Sequence, residues 1–404
     1  MHKAKMLSVV ICLALFATQA LAFAPSRFFP FRRSTKTLEY AAPESVGMSS
    51  ERLEMAFKVI KDAIANGAFP GAVALVVRNG TIVGHRAFGH SMLTPQARMM
   101  QIDTIFDLAS QTKPLVTATS IMILLERGKL RLDDKVTVFI PEFSKNGKEG
   151  ITVRKLLTHT SGLPAWIPFY KECRSHECVI AAICDIDLEH EPGTKYVYSD
   201  LGYITLGEIV RRVSGKELST FAEENIFKPL GMLNTTFNPS KELKERCAAT
   251  EQCEWRGRVL VGEVHDENAF AMGGVSGHAG LFSTAYDLAI FAQMMLNGGE
   301  YNGIRIMSPL TVKAMTRNQI PELGEESLGW FTKSKEYSSG GDLISTDSYG
   351  HTGFTGTSMW IDPDEDLTII LLTNRVHPSR NNRGHIRVRP LFANAVAASI
   401  VESI

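Results

Sequence analysis

Apolar residues recur along this chain with two periods, and the two periods divide it into segments. Leu53, Ala56, Phe57, Ile60, Ala63 and Ile64 return every three or four residues, which predicts an amphipathic helix from Ser49 or Ser50 to Gly67. Pro70 to Val77 and Thr81 to His85 are β-rich runs around Arg78-Asn79-Gly80, and Asn-Gly in that setting predicts a hairpin. Residues 104–107 read as a short extended approach to a mostly apolar helix at 115–126, closed by Gly128. Helices are also predicted over 151–157, 201–214, 218–227, 287–296 and 309–318, and the Gly-rich stretch 241–280 reads as a long surface excursion. Strands return at 356–362 and 367–374 around a turn at 363–366, and an apolar helix at 391–402 closes the chain. Strands and helices at both ends, with helices between, predict one sheet-based domain interrupted by a helical one.

The first residues follow a different pattern. Lys3 and Lys5 precede an apolar run from Met6 to Ala17, and Ala20-Leu21-Ala22 is a small-x-small cleavage site. This predicts a secretory signal peptide over 1–22, a periplasmic or secreted protein, and no stable membrane anchor. Residues 23–43 mix phenylalanines, prolines and basic residues and read as a flexible leader, leaving 44–404 as the folded domain with a helical insertion over roughly 111–240. Lys plus Arg and Asp plus Glu both number 43, so no net charge draws the chain to nucleic acid. A small molecule is the expected partner. Cleavage leaves five cysteines, of which Cys173 and Cys178, or Cys247 and Cys253, are spaced for local pairing. Neither spacing is a zinc pattern, and no cofactor or metal is expected.

The candidate chemistry begins at Ser110-Gln111-Thr112-Lys113, at the start of the 115–126 helix. Positions i and i+3 share a helix face, so hydroxyl and amine can touch. A Ser with a base in reach is a nucleophile candidate. Two later stretches supply partners: Tyr198-Ser199-Asp200, and His351-Thr352-Gly353-Phe354 just before a predicted strand.

In this order the three motifs resemble the serine β-lactamase and penicillin-binding-protein superfamily, class C-like branch. Leu156 to Pro164, Gly280 to Leu288 and Thr355 to Pro363 extend the resemblance over nearly all of the mature chain. Residues 254–280 are similar to the subgroup that contains exo-acting N-acetylmuramyl-L-alanine amidases. The resemblance implies an α+β fold: an antiparallel sheet flanked by the N- and C-terminal helices, packed against an all-helical region with the site between them. It implies Ser110 as nucleophile, Lys113 as its proton acceptor, and Tyr198 as general base or as acid for the leaving group. The backbone N–H groups of Ser110 and of Phe354, on the strand after the third motif, would form the oxyanion hole, and His351, Thr352, Gly353 and Asp200 would contact substrate.

With an ordinary pKa of about 10.4, free Lys is protonated at neutral pH and cannot act as a base, and burial with a nearby positive group would lower that value. Two departures oppose a β-lactam substrate. His351 replaces the Lys that grips a substrate carboxylate, and Asp200 replaces the usual Asn. A carboxylate at 200 would raise the pKa of Lys113 or His351 if close. His265, Asp266 and His278 line the cleft or hold the Gly-rich loop together by hydrogen bonds; the second reading is preferred, and a metal on the three is the third. The expected function is an exported serine hydrolase acting on peptidoglycan fragments through a Ser110 acyl-enzyme. The alternatives are a carboxylesterase of small acyl esters, a β-lactamase or D-amino-acid peptidase, and a non-enzymatic cell-wall-fragment sensor.

Overall fold

The computed structural model describes residues 37–402, so the predicted signal peptide and most of the leader lie outside the described residues. One sheet contains β1 (Glu39–Tyr40), β2 (Gly71–Arg78), β3 (Thr81–Met92), β4 (Arg98–Met99), β5 (Phe331–Thr332), β6 (Tyr349–Thr352), β7 (Ser358–Asp362) and β8 (Leu367–Thr373). The strand order is β1-β3-β2-β8-β7-β6-β5, with β4 added on β3. Only β1 and β3 run parallel. The main helices are α1 (Ser50–Ala65), α2 (Thr119–Glu126), α3 (Asp200–Ser214), α4 (Ala285–Leu296) and α5 (His385–Ala397).

The first hairpin forms as its sequence requires. Asn79 and Gly80 take φ of 51° and 73°, the positive values of a two-residue primed turn. The centre of the sheet joins the two ends of the chain, because β2 pairs with β8 from Ala72 opposite Thr373 to Arg78 opposite Leu367. Both strands are buried along their whole length. Val73, Leu75 and Val77 point into the larger core with the helical region, and Ala72, Ala74 and Val76 point toward α1 and α5. Burial on both faces explains why these strands read as continuous apolar runs.

Three expectations change, and one alternative is resolved. Residues 37–43 are not a flexible leader: Leu38 is buried, its N–H donates to the Tyr301 hydroxyl at 2.8 Å, and β1 joins the sheet beside β3. The last helix starts at His385 rather than 391 and ends at Ala397. Pro390 sits inside it, and the Ile386 carbonyl it cannot serve accepts instead from the Tyr337 hydroxyl at 3.3 Å. The 241–280 stretch is not a plain excursion. It contains an antiparallel pair, Ala249–Cys253 with Arg258–Val261, and Cys247, Val264 and Ala269 form a small core with Ile105, Ala279 and Phe282. Cys173 and Cys178 form a disulfide, whereas Cys184, Cys247 and Cys253 are free and buried. Among the described residues no helix is long and apolar enough to cross a membrane.

Candidate active site

The site starts from a strained turn. Phe106–Asp107 pairs with Leu281–Ser283, and Ala109 then takes a φ of 46°. Buried Asp107 holds that conformation: its Oδ1 accepts the Ala109 N–H at 2.8 Å and its Oδ2 accepts the His265 N–H at 2.7 Å. Ser110 follows in a 3-10 turn, Ala109–Gln111. Lys113–Ala118 is π-helical before α2 begins, rather than the first turn of one regular helix. Pro114 lacks an N–H and sits in this wide turn, and such segments are frequent at functional sites. The spacing still brings the groups together, with Lys113 Nζ donating to Ser110 Oγ at 3.0 Å.

Lys113 is fully buried, and three oxygens surround its ammonium: Ser110 Oγ, the His278 carbonyl at 3.2 Å and Asp200 Oδ1 at 2.7 Å. The Asp200 contact is a short ion pair but is poorly aligned as a hydrogen bond. Burial alone would drive the Lys113 pKa down. Asp200 first, and Tyr198 after it, outweigh burial and hold it above the ordinary lysine value. The expected lowering is therefore reversed, because the carboxylate that stands where the resemblance has Asn is in direct contact. Asp200 opens α3, where the helix N-terminus also favours a negative charge.

Tyr198 stands over this pair, with the Lys113 ammonium 4.8 Å from its ring centroid. Burial pushes its phenol pKa up, while Lys113 and Ser110 draw it down less strongly. His159 lies beneath it. The rings are 4.4 Å apart, the His159 carbonyl accepts the Val197 N–H, and its Nδ1 accepts the Ser199 N–H at 2.9 Å. An accepting Nδ1 makes this a neutral imidazole, as burial and the nearby Lys113 also require. Ser199 caps α3 by accepting the Gly202 N–H, and its hydroxyl donates to the Pro164 carbonyl at 2.6 Å.

The opposite wall comes from β6. His351 Nδ1 donates to the Thr352 carbonyl at 2.8 Å, so the proton is on Nδ1 and Nε2 is a lone-pair acceptor. Nε2 is buried and without a partner among the described residues. The ring stacks on Phe331 at 4.3 Å. Burial first, then Lys113, lowers its pKa to about 3, so the direction is opposite to that on Lys113.

Phe354 is not on a strand. It sits in the turn between β6 and β7, and its N–H meets no acceptor among the described residues. The turn is clamped over the Ser110 approach, since Thr355 Oγ1 donates to the Asp107 carbonyl at 2.6 Å and Thr357 Oγ1 to the Leu108 carbonyl at 3.2 Å. Only Gly fits at 353, where a Cβ would strike the Leu108 carbonyl. Behind it, Arg375 donates to the Phe354 carbonyl at 2.8 Å, and buried Arg389 donates to the carbonyls of Gly353 and Thr357 at 3.0 and 2.8 Å.

The third group of polar residues divides in two. His278 bonds to Asp266 at 2.9 Å and to Ser276 at 2.8 Å, whereas His265 bonds to Glu251 at 3.1 Å. Ligand atoms of Asp200, Asp266 and His278 lie within 4.8 Å of one another. Those atoms are already engaged, Asp200 by the Lys113 ammonium and both His278 nitrogens by hydrogen bonds, so the set does not fit a resident cation.

Sequence reasoning missed Asp107, His159, Arg375 and Arg389, which hold the reactive groups without joining them. The signal for His159 was present, since it lies inside Leu156 to Pro164, a stretch that carried the resemblance, whereas Asp107 read only as the end of the extended approach to Ser110. The arginines act through backbone carbonyls far away in sequence and left no local signal.

The chain is similar to known proteins over most of its length. The beta-lactamase family profile matches residues 56–393. An N-acetylmuramyl-L-alanine amidase of Bacillus subtilis is 38% identical over 370 residues, covering 83% of each chain. An Escherichia coli protein carrying the provisional name D-alanyl-D-alanine carboxypeptidase is 36% identical, covering 84% of this chain and 86% of its own. Among solved structures, EstCE1, a hydrolase with promiscuous acyltransferase activity, has a TM-score of 0.70 at 22% identity, covering 86% of this chain and 99% of its own. A penicillin-binding-protein homologue from Caulobacter crescentus has the same score and identity, covering 87% and 99%. These two likenesses speak for the fold. Given the profile match and the coverage of the relatives, the chain belongs to the beta-lactamase/transpeptidase-like family of serine hydrolases.

Proposed function

We propose that this protein is an exported amidase that cleaves the bond between the lactoyl group of N-acetylmuramic acid and L-alanine, through an acyl-enzyme on Ser110. The observation that carries the chemistry is the contact series Ser110 Oγ, Lys113 Nζ and Asp200 Oδ1, at 3.0 and 2.7 Å. The substrate class is supported by the 38% identical amidase and by residues 254–280.

A charged Lys113 cannot accept a proton unless it gives one away. As Ser110 Oγ bonds to the carbonyl carbon, its proton moves to Nζ while Nζ passes another to Asp200. The relay Ser110–Lys113–Asp200 thereby acts as the general base. The N–H groups of Ser110 and Phe354 receive the oxyanion, and donors of this kind are each worth about 3–4 kcal/mol. Tyr198, kept protonated by burial, donates to the departing L-alanine amine. The relay then returns the proton to Tyr198. Water enters and the sequence repeats to release the acid.

His351 favours this amide over a D-alanyl terminus. A terminal carboxylate needs a donor or cation, and the buried Nε2 offers a lone pair. A substrate N–H would satisfy it.

The test is mass spectrometry of N-acetylmuramyl-L-alanine and of a muramyl pentapeptide after incubation with the purified protein. Release of free N-acetylmuramic acid, lost in Ser110→Ala, is the expected result. Release of D-alanine alone would overturn the reading.

A further inference from the structure

Two of the four tryptophans are core residues: Trp330 is 0% exposed and Trp360 4%. The other two, Trp166 and Trp255, are 44% and 45% exposed, and both belong to one cluster. Tyr170 lies between them, 6.4 Å from Trp166 and 4.8 Å from Trp255 by ring centroids. No step of the chemistry above uses these rings.

The cluster is held rigidly. The Arg256 guanidinium lies 5.2 Å from the Trp255 ring and 4.1 Å from that of Phe270. Its side chain is 3% exposed, and it donates to the carbonyls of Val264 and His265 at 2.6 and 3.2 Å. The same arginine therefore fixes the loop that leads to Asp266. At the other end, the Ala165 carbonyl, one residue before Trp166, accepts the Asp200 N–H at 2.9 Å. Asn268 joins the middle, donating to the Ile167 carbonyl at 2.8 Å and accepting the Tyr170 N–H at 3.0 Å. The aromatic strip is thus bonded to the segments that present Asp200 and Asp266.

We propose that Trp166, Tyr170 and Trp255 form a saccharide platform beside the Ser110 cleft. Its occupant is the pyranose ring of an N-acetylated amino sugar whose lactoyl carbonyl reaches Ser110, so the proposal rests on the amidase reading. A pyranose presents an apolar C–H face with slight positive charge, which suits the negative face of an aromatic ring. Trp166, Tyr170 and Trp255 are contiguous, and a contiguous exposed apolar patch marks an interaction site in a way that a single exposed ring does not. The Arg256 charge is already directed to backbone carbonyls and to Glu263 at 3.1 Å, so an uncharged ring is the fitting ligand.

The experiment compares kcat/KM for N-acetylmuramyl-L-alanine with that for p-nitrophenyl acetate, which has no sugar, in the full chain. Trp166→Ala and Trp255→Ala should each lower the ratio of the two by about ten-fold, mainly through KM. Trp255→Tyr keeps a stacking face and a fold close to the native one, and should recover most of the ratio. An unchanged ratio in the double alanine variant overturns the platform. If the wild type cleaves no muramyl amide, the amidase reading fails by itself, and the platform is then read from binding. N-acetylmuramic acid should quench the tryptophan fluorescence of Ser110→Ala saturably, and Trp166→Ala with Trp255→Ala should abolish the quenching. No quenching, or equal quenching by an L-Ala-D-Glu dipeptide, overturns it.

Discussion

Lys113 and His351 come from opposite walls of one cleft and are almost wholly buried, yet one is held charged and the other neutral. Burial pushes both toward the neutral form. The difference is the neighbour. Lys113 has Asp200 at 2.7 Å, and His351 has a backbone carbonyl on one side, with the Lys113 and Arg389 charges acting against it. The helical wall therefore carries a fixed ion pair, and the β6 wall a lone-pair acceptor. In the proposed mechanism one side of the cleft moves a proton and the other reads a substrate donor, because the two bases do not share a charge state.

The comparison breaks most completely if the ammonium is removed. Lys113→Ala leaves Asp200 half-buried beside a void, and losing one member of a buried pair costs about 3–5 kcal/mol. Turnover should fall by about four orders of magnitude, as when a catalytic unit loses one member. Thermal unfolding and single-turnover kinetics read the two effects separately. Near-native stability together with retained activity would rule out the relay.

Asp200→Asn has the next effect. It removes the partner that opposes burial, so the Lys113 pKa falls. Wild-type kcat should be flat from neutral to mildly alkaline pH, because Lys113 stays charged throughout. The variant should lose about 100-fold at neutral pH and then climb with pH as Lys113 becomes a free base. A flat profile in the variant would show that Asp200 carries no proton.

His351→Gln tests the neutral wall through stability. The folded pKa of about 3 lies below the unfolded value near 6.5. The unfolded chain therefore takes up this proton first as the pH falls. Stability held by the neutral ring is complete above about pH 6.5 and is lost progressively toward pH 3. Urea unfolding at pH 7 and pH 4 should show the wild type losing about 2–3 kcal/mol more than the variant. Equal losses would mean that the ring is charged in the fold.

The two walls were unequally legible in the sequence. Ser110, Lys113, Tyr198 and His351 stand in short motifs, and the structure brings them together. Both hairpins and α1 were legible too, because an Asn-Gly turn at 79–80, a Pro-Asp-Glu-Asp turn at 363–366 and a three-four repeat are local signals. What sequence could not supply was distance. Asp200 could be read as a substrate contact or as a perturber of Lys113, and only its position at the ammonium decides between them. Phe354 reads as a strand residue until the clamping of its turn by Thr355, Thr357, Arg375 and Arg389 is seen. Those bonds join residues from four parts of the chain. The start of α5 was hidden by Pro390, and the Ile386 carbonyl that it leaves without an N–H finds a partner in Tyr337, outside the helix.

The smallest effect is expected at Ser199, which touches neither base. Its side chain caps α3 and its hydroxyl ties the helix start to Pro164, so it sets where Asp200 projects. Ser199→Ala removes the cap at a cost of about 1 kcal/mol. The carboxylate stays, so the Lys113 charge state and the shape of the pH profile should be kept. Only the alignment of the pair should loosen, lowering kcat by a few-fold with no shift along the pH axis. Ser199→Thr retains a capping oxygen and should restore most of the rate. If Ser199→Ala instead reproduced the climbing profile of Asp200→Asn, the charge on Lys113 would depend on the exact placement of Asp200 rather than on its presence. The ion pair's poor hydrogen-bond alignment makes presence the expected answer, because a Coulomb attraction at this range tolerates an angle that a hydrogen bond does not.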